Sequence, residues 1–311
     1  MGLIIFDGTN LVHRCRHATS LSTSSGQEVG GIYGSIRSLL ATMRRFPGWK
    51  PISAWDSWSR SRVAVYPNYK ASRRDKYTPE ERKVINAQLM ASREVFLSFG
   101  VPAIRLYDME ADDIIGHLVC SNPEEEIIVV STDRDMYQLL DGDRVRVLKG
   151  DVLWGEDDLR VRTSMTALQY RLFHAIRGDV SDWIKGIPSV GEKTVEEIMG
   201  ILPEDFSYDP PDFDRLAAIC EDHKKKRIRR VADGIDIVRR NFELVNLRPP
   251  PHVCSLKAGM ILEALVHPNP LDVRGYVELC LRYEFESMMG WTGWTYSEVA
   301  CWDRDYEGVG V

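Results

Sequence analysis

The chain has 311 residues, 44% of them hydrophobic, with eight Trp, twelve Tyr and nine Phe, enough to fill two packed domains. No stretch approaches the ~20 consecutive apolar residues of a membrane helix, and "MGLIIFDGTN" lacks the basic start and long apolar run of a signal peptide, so a soluble, cytoplasmic protein is expected. The net charge of -6 speaks against a polyanionic partner until its distribution is read: Arg60 to Lys83 carries eight Lys or Arg against three acids, and Arg105 to Asp143 eleven acids against two Arg.

In chain order, "LIIF" at 3 to 6 reads as a first strand, and Ile32, Ile36, Leu39, Leu40 and Met43 recur at helical spacing. "ISAW" at 52 to 55 reads as a second strand, followed by an amphipathic helix from about Glu80 to Phe99. "VPAIRL" at 101 to 106, a helix beginning near "EADDIIGHLV" and the strand "IIVV" complete the first half. This alternation predicts an α/β fold, a mainly parallel sheet flanked by helices on both faces, with ligands beyond the carboxyl ends of its strands. From about Thr166 the pattern turns helical, broken only by a Gly/Pro hairpin; "SYDPPDFD" at 207 to 214 and "RPPPH" at 248 to 252 are expected loops. "GWTGWTYSEVACWDRDYEGVGV" carries no reading. The six cysteines are scattered without metal-ligand spacing, so reduced thiols are expected.

Three strands each deliver an aspartate to the same edge: Asp7 after "LIIF", Asp56 after "ISAW" and Asp133 after "IIVVST". Clustered acids are costly to bury unless something positive sits among them. An acidic centre flanked by basic segments, including "KKKRIRR" at 224 to 230, suggests a divalent metal inside and phosphate outside.

Taken together and in order, "FDGTN", "AWDSW", "YPNYKASRR", "MEADD", "STDRD" and "GDVSDWIKGIPSVGEKT" resemble the 5'-nuclease family, the flap endonucleases and 5'-3' exonucleases, particularly the stand-alone bacteriophage type. The likeness runs from residue 3 to about residue 200. It implies a PIN-like nuclease core over 1–178 with a helical arch at about 66–98. It also implies a helical DNA-binding region over 179–311, containing a helix-hairpin-helix-type motif at about 183–200.

Nine carboxylates stand at the matching positions: Asp7, Asp56, Glu110, Asp112, Asp113, Asp133, Asp135, Asp179 and Asp182. Mg2+ prefers oxygen ligands and keeps several waters, so nine suffice for two ions, with Mn2+ able to substitute. Two such ions can activate a water and stabilise a departing 3' oxygen. The resemblance implies that Asp7, Asp56, Glu110 and Asp112 surround one ion and Asp133, Asp135, Asp179 and Asp182 the other, with Asp112 shared and Asp113 in support. Singly, each has a plainer reading: "EADD" suits a helix N-terminus, "DRD" a cap and "GDVSD" a turn.

If this segment is helical, Lys70 and Arg73 lie three apart and share a face; the resemblance implies that they reach the scissile phosphate. It has Tyr69 stacking on a terminal base, and Arg74 and Lys76 contacting the backbone. Gly191 and Lys193 of "GIPSVGEKT" would grip duplex phosphates, in a hairpin that in this family often holds K+. "KKKRIRR" either contacts a duplex or forms a solvated helix face. His13, His17, His117 and His174 receive no role. The expected activity is a monomeric, metal-dependent 5' nuclease acting on DNA with 5' flaps, nicks or RNA primers in phage replication. A single-strand binding protein is an analogous partner. A PIN-type ribonuclease and a catalytically inactive DNA-junction binder are the alternatives, and residues 205–311 have no assigned role.

Overall fold

The run from Leu3 to Phe6 offers no polar face to water, and it forms the centre of the sheet: β1 (Leu3–Asp7) is buried from end to end. The structure, a computed structural model, describes residues 2–73, 76–250, 253–266 and 271–289. In it β1 pairs in parallel with β2 (Lys50–Ala54) on one side and β4 (Ile127–Val130) on the other. Beyond β2 lies β3 (Ala103–Ile104); beyond β4 lies β5 (Val145–Lys149), both parallel, and β6 (Val152–Trp154) closes that side antiparallel. The order β3-β2-β1-β4-β5-β6 reverses direction between β1 and β4. At such a switch point the connections diverge to opposite faces and leave a crevice at the carboxyl ends of the strands.

Both faces of the sheet are covered, so successive residues of each strand enter different cores. Ile4, Phe6, Ile128 and Val130 pack with Leu11 of α1 (Gly8–Ala18), Ile32 and Ile36 of α2 (Gly30–Arg45), and Val95 and Phe96 of α4 (Pro79–Ser98). Leu3, Ile5, Ile127 and Val129 pack with Ile114 and Leu118 of α5 (Ala111–Ser121), Leu159 of α6 (Glu156–Thr163) and Leu172 of α7 (Ala167–Arg177). The short α3 (Arg60–Val65) precedes α4. Among the described residues no helix is long and apolar enough to cross a membrane.

After α7 come a two-stranded antiparallel hairpin, β7 (Gly178–Asp179) and β8 (Ile184–Lys185), then α8 (Glu192–Ile201) and α9 (Phe213–Glu221). Next are α10 (Lys226–Asp233), α11 (Ile235–Val245), α12 (Ser255–Val266), α13 (Val273–Arg282) and α14 (Glu286–Met289). The core beneath α5 and α7 continues without a break through Val195, Ile198, Ile228 and Val238.

Three expectations change. The β7–β8 hairpin interrupts what reads as continuous helix, because α7 stops at Gly178, whose φ of 78° suits glycine. A Cβ there would lie 2.3 Å from the Gly186 nitrogen and the Ile184 carbonyl oxygen, so the chain turns back on itself at that point. The helix expected from Tyr66 is instead a turn followed by a single 3-10 turn at Ala71–Arg73, and regular helix begins only at Pro79. "TPEE" sets that start: Thr78 and Glu81 form a reciprocal capping box, and Pro79 occupies the first helical turn. Finally, α1, β5 and β6 form from segments the period reading leaves unassigned. The C-terminal Trp-rich segment lies outside the described residues.

Candidate metal centre and nucleic-acid interface

"FDGTN" knits the two sides of the crevice together. Asp7 ends β1 and caps α1, its Oδ1 accepting the Asn10 N–H at 3.0 Å, while Oδ2 accepts the Ser131 hydroxyl at 2.8 Å. Thr9 Oγ1 accepts the Asp56 N–H at 2.9 Å, fixing the residue that follows Trp55. Asn10 Oδ1 accepts both the N–H and the hydroxyl of Thr132, at 3.1 and 2.8 Å. Asp56 in turn receives the Ala111 N–H at 2.7 Å, which ties the end of β2 to the start of α5. Ser131 Oγ accepts the Asp133 N–H and Asp133 Oδ1 accepts the Asp135 N–H, so each acid of "STDRD" is set by the side chain two residues before it.

The sequence misses the residue that organises the first turn of α5. Arg62, 2% exposed, donates from Nη1 to Glu110 at 2.7 Å and to Asp113 at 3.0 Å, and from Nη2 to the other Asp113 oxygen at 2.8 Å. Nothing in "SRSRV" separates it from the exposed Arg60; only the apolar Val63 and Val65 beside it hint at burial. Asp113 is fully buried against this guanidinium, a place from which it supports the turn rather than meeting the other acids directly. Glu110 meets three donors. Its Oε2 accepts from Arg62, from Lys70 Nζ at 2.7 Å and from the Tyr69 hydroxyl at 2.8 Å. Burial alone would raise its pKa, but Lys70 and Arg62 outweigh it and hold the carboxyl at about 2.

Two further calls are corrected. Lys70 and Arg73 share no helical face: Lys70 has a φ of 51° in the turn before the 3-10 segment, and its N–H donates to the Asp182 carbonyl. Tyr69 is only 4% exposed, its hydroxyl donating to Glu110 and Asp182, so its ring presents no face for base stacking in this arrangement. The Lys70 ammonium stands 3.6 Å from Asp182 as well as on Glu110. Arg74 and the side chain of Arg73 lie outside the described residues; Lys76 is exposed.

The remaining acids press on one another. Burial and the charges of Asp56 and Asp133 push Asp7 up to about 7, against its hydrogen bonds from Asn10 and Ser131. Burial, then Asp133, Asp7 and Asp56, raise Asp112 well above the usual carboxylate range, with Lys70 opposing. Burial, then Asp133, Asp179 and Asp182, raise Asp135 likewise. The acids thus form two overlapping neighbourhoods, with Asp133 raising Asp7, Asp112 and Asp135 alike. Among the described residues no three acid, His or Cys groups already stand at chelating distances. The donor set is nevertheless all oxygen, and carboxylates that raise each other's pKa suit a hard divalent cation, which would reverse that repulsion. His174 adds a neighbour the sequence does not assign: its Nδ1 is 4.0 Å from Asp135, and burial, only partly countered by Asp179, lowers it to about 4.

At the hairpin, Gly191 precedes α8 with an ordinary φ of -95°, and a Cβ there would point into open space. Lys193 is exposed in the first turn. "KKKRIRR" falls at the start of α10, where Ile228 and Val231 are buried and Arg227 pairs with Glu197 of α8 at 2.7 Å, as does Lys225. Arg230 reaches the Pro188 carbonyl. The block therefore buries an apolar face, pairs twice with α8 and reaches the hairpin through Arg230, leaving Lys224, Lys226 and Arg229 exposed.

A mainly parallel sheet whose switch point gathers acids from five segments defines an α/β protein of the PIN-like 5'-nuclease class. The family model for the 5'-3' exonuclease, N-terminal resolvase-like domain, matches residues 2–167, and the chain belongs to that family. It is 29% identical over 300 residues to DNA polymerase I of Caldicellulosiruptor bescii, covering 93% of this chain and 33% of that protein. To the thermostable DNA polymerase I of Thermus aquaticus it is 31% identical over 208 residues, 63% of this chain and 23% of the relative. The chain thus spans about a third or less of the length of these curated relatives. Among solved structures it is similar to T5 5'-exonuclease with bound zinc (TM-score 0.67, 21% identity, 91% of this chain and 99% of that one). It is also similar to the catalytic core of Rad2 in complex with DNA substrate (TM-score 0.55, 12% identity, 96% and 91%).

Proposed function

We propose that the protein is a divalent-metal-dependent, structure-specific 5' nuclease that hydrolyses DNA phosphodiesters, removing 5' flaps or RNA primers during phage DNA replication. The observation that carries this reading is the convergence at the switch point of acids from the ends of β1, β2 and β4, the start of α5 and the β7–β8 hairpin, where burial and neighbouring carboxylates raise Asp7, Asp112 and Asp135. Asp7, Asp56, Glu110 and Asp112 would hold one Mg2+ or Mn2+, and Asp133, Asp135, Asp179 and Asp182 a second, with Asp112 shared. Bound there, the cations would supply Lewis acidity toward water and toward the departing oxygen.

The chain's own side chains do the rest. In hydrolysis, water adds to phosphorus, the P–O3' bond breaks, and the products are a 5'-phosphate and a 3'-hydroxyl. Lys70, anchored on Glu110 beside the crevice, can swing its ammonium toward a non-bridging phosphate oxygen as charge builds there. Arg62 fixes Glu110 and Asp113 by hydrogen bonds and so sets the first turn of α5, which carries Asp112. Gly191 and Lys193 at the start of α8 would seat a duplex phosphate, positioning without reading sequence. The hairpin is also where K+ would bind. Support for DNA as substrate comes from the family match and from the DNA complex of the Rad2 neighbour.

The test is product mapping on end-labelled 5'-flap, nicked-duplex and RNA-primed substrates with Mg2+, alongside single-stranded RNA. Flap or primer removal with 5'-phosphate products supports the proposal. Cleavage confined to RNA favours a PIN-type ribonuclease, and no product with either Mg2+ or Mn2+ favours a catalytically inactive junction binder.

A further inference from the structure

Away from the acids lies a cavity of 400 Å3 between α1, α2 and the β5–β6 turn, in the size range of small-ligand sites. Four arginines line it, Arg14, Arg37, Arg44 and Arg45, against one acid, Asp151, a balance of +3 in a chain whose net charge is -6. Arg14, Arg37 and Arg45 are braced by groups around the rim. Arg14 Nη2 donates to the Ser38 hydroxyl at 3.4 Å. Arg45 donates to the Asp151 carbonyl at 2.9 Å and lies 5.3 Å from the centre of the Phe46 ring. The Arg37 guanidinium sits 5.9 Å from the centre of the Tyr33 ring. Holding rotamer-rich side chains in place around a hollow lowers the ordering cost of binding.

We propose that this cavity is a second anion site that takes phosphate groups. Guanidiniums match phosphate oxygens with paired donors and are always charged, and none of the lining residues belongs to the acid cluster. The phosphate has two potential sources, a nucleic-acid strand or a free nucleoside monophosphate. The topology favours the strand. Because β5 runs parallel to β4, the turn at Gly150–Asp151 leaves the sheet at the same edge as Ser131–Asp135. A strand leaving the acids can therefore cross one strand's width of sheet to reach the cavity rim. Only this choice of source rests on the nuclease reading; the phosphate site itself does not.

The test compares the full chain with Arg37→Gln/Arg44→Gln and with Arg37→Lys/Arg44→Lys. Both side chains are exposed, so folding is little affected. Two probes are used in EDTA, where no cleavage occurs: a labelled nicked duplex followed by anisotropy across a salt series, and a deoxynucleoside monophosphate followed by calorimetry. For a strand, the Gln variant should bind the duplex at least tenfold more weakly and reduce the slope of log affinity against log salt by about 1 to 2. The Lys variant should keep most of the slope but lose affinity. Monophosphate binding by the wild type that the Gln variant loses supports the site with the free source. Unchanged duplex binding and slope, together with no monophosphate binding, overturn the proposal. Because neither probe requires turnover, these results stand apart from whether the acid cluster cleaves DNA; a wild type that cleaves while both probes are unaffected sinks the cavity alone.

Discussion

Asp7→Asn should make the metal-free protein more stable while removing its catalytic competence. The Asp7 carboxyl is pushed from 3.8 to about 7 by burial and by Asp56 and Asp133, so its ionised form opposes folding. The sign follows from the raised pKa. Below about pH 4 the group is protonated in both states and costs nothing. Between about 4 and 7 the folded chain keeps a proton that the unfolded chain releases, so stability falls as pH rises. Above about 7 the full cost stands: the interval from 3.8 to about 7, at about 1.4 kcal/mol per pH unit, is about 4 kcal/mol. Asn removes that cost and still caps α1 by accepting the Asn10 N–H, giving up the interaction of a negative charge with the helix N-terminus, about 0.3 to 1 kcal/mol, and the hydrogen bond accepted from the Ser131 hydroxyl, whose Oγ can instead accept from the new amide. The net gain at pH 8 is therefore about 3 kcal/mol, shrinking below pH 5 and vanishing below pH 4. Urea unfolding in EDTA at pH 4, 5, 6.5 and 8 measures it, with added Mn2+ eliminating the advantage by stabilising only the wild type. A variant that is less stable than wild type at every pH, or whose effect ignores pH, refutes the reasoning.

The other predictions concern the same crevice. Asp133→Ala and Asp182→Ala should each lower Mg2+-dependent cleavage at least about a hundredfold while leaving DNA binding largely intact, read by flap cleavage and anisotropy in parallel. Arg62→Met should cost about 3 to 5 kcal/mol in urea unfolding, because it leaves two buried carboxylates without their cation; adding Asp113→Leu should restore at least half of that loss. Glu110 has the opposite pH signature to Asp7. Lowered from 4.5 to about 2 by Lys70 and Arg62 against burial, it contributes about 3 kcal/mol that is present above pH 4.5 and lost as pH falls toward 2, so Glu110→Gln should flatten that acid limb.

The centre of the sheet was legible because β1 and β4 are buried on both faces and therefore read as unbroken apolar runs, and the helix start at Pro79 because "TPEE" carries its own capping chemistry. The aspartates at the ends of β1, β2 and β4 were legible for the same reason: a strand ending in an acid specifies where that acid goes. What the sequence hid were residues whose role depends on partners distant in the chain. Arg62 meets Glu110 and Asp113 some fifty residues away, and Thr9 and Asn10 act through Asp56 and Thr132. The Tyr69–Lys70 turn was misread because helical period said nothing of Lys70's left-handed backbone, which Asp182 accommodates from across the crevice by accepting the Lys70 N–H. Similarly, the break after α7 depends on Gly178 meeting Gly186, a contact no local pattern encodes.

Calorimetric titration of Mn2+ into the protein at pH 6.5, repeated in buffers of different ionisation enthalpy, probes the acid crevice most directly. Two ions per chain, with net proton release as the raised carboxyls of Asp7, Asp112 and Asp135 ionise, and a lost or weakened site in Asp133→Ala, are the predicted result. No uptake of Mn2+, or uptake that releases no protons and is indifferent to Asp133, would contradict it.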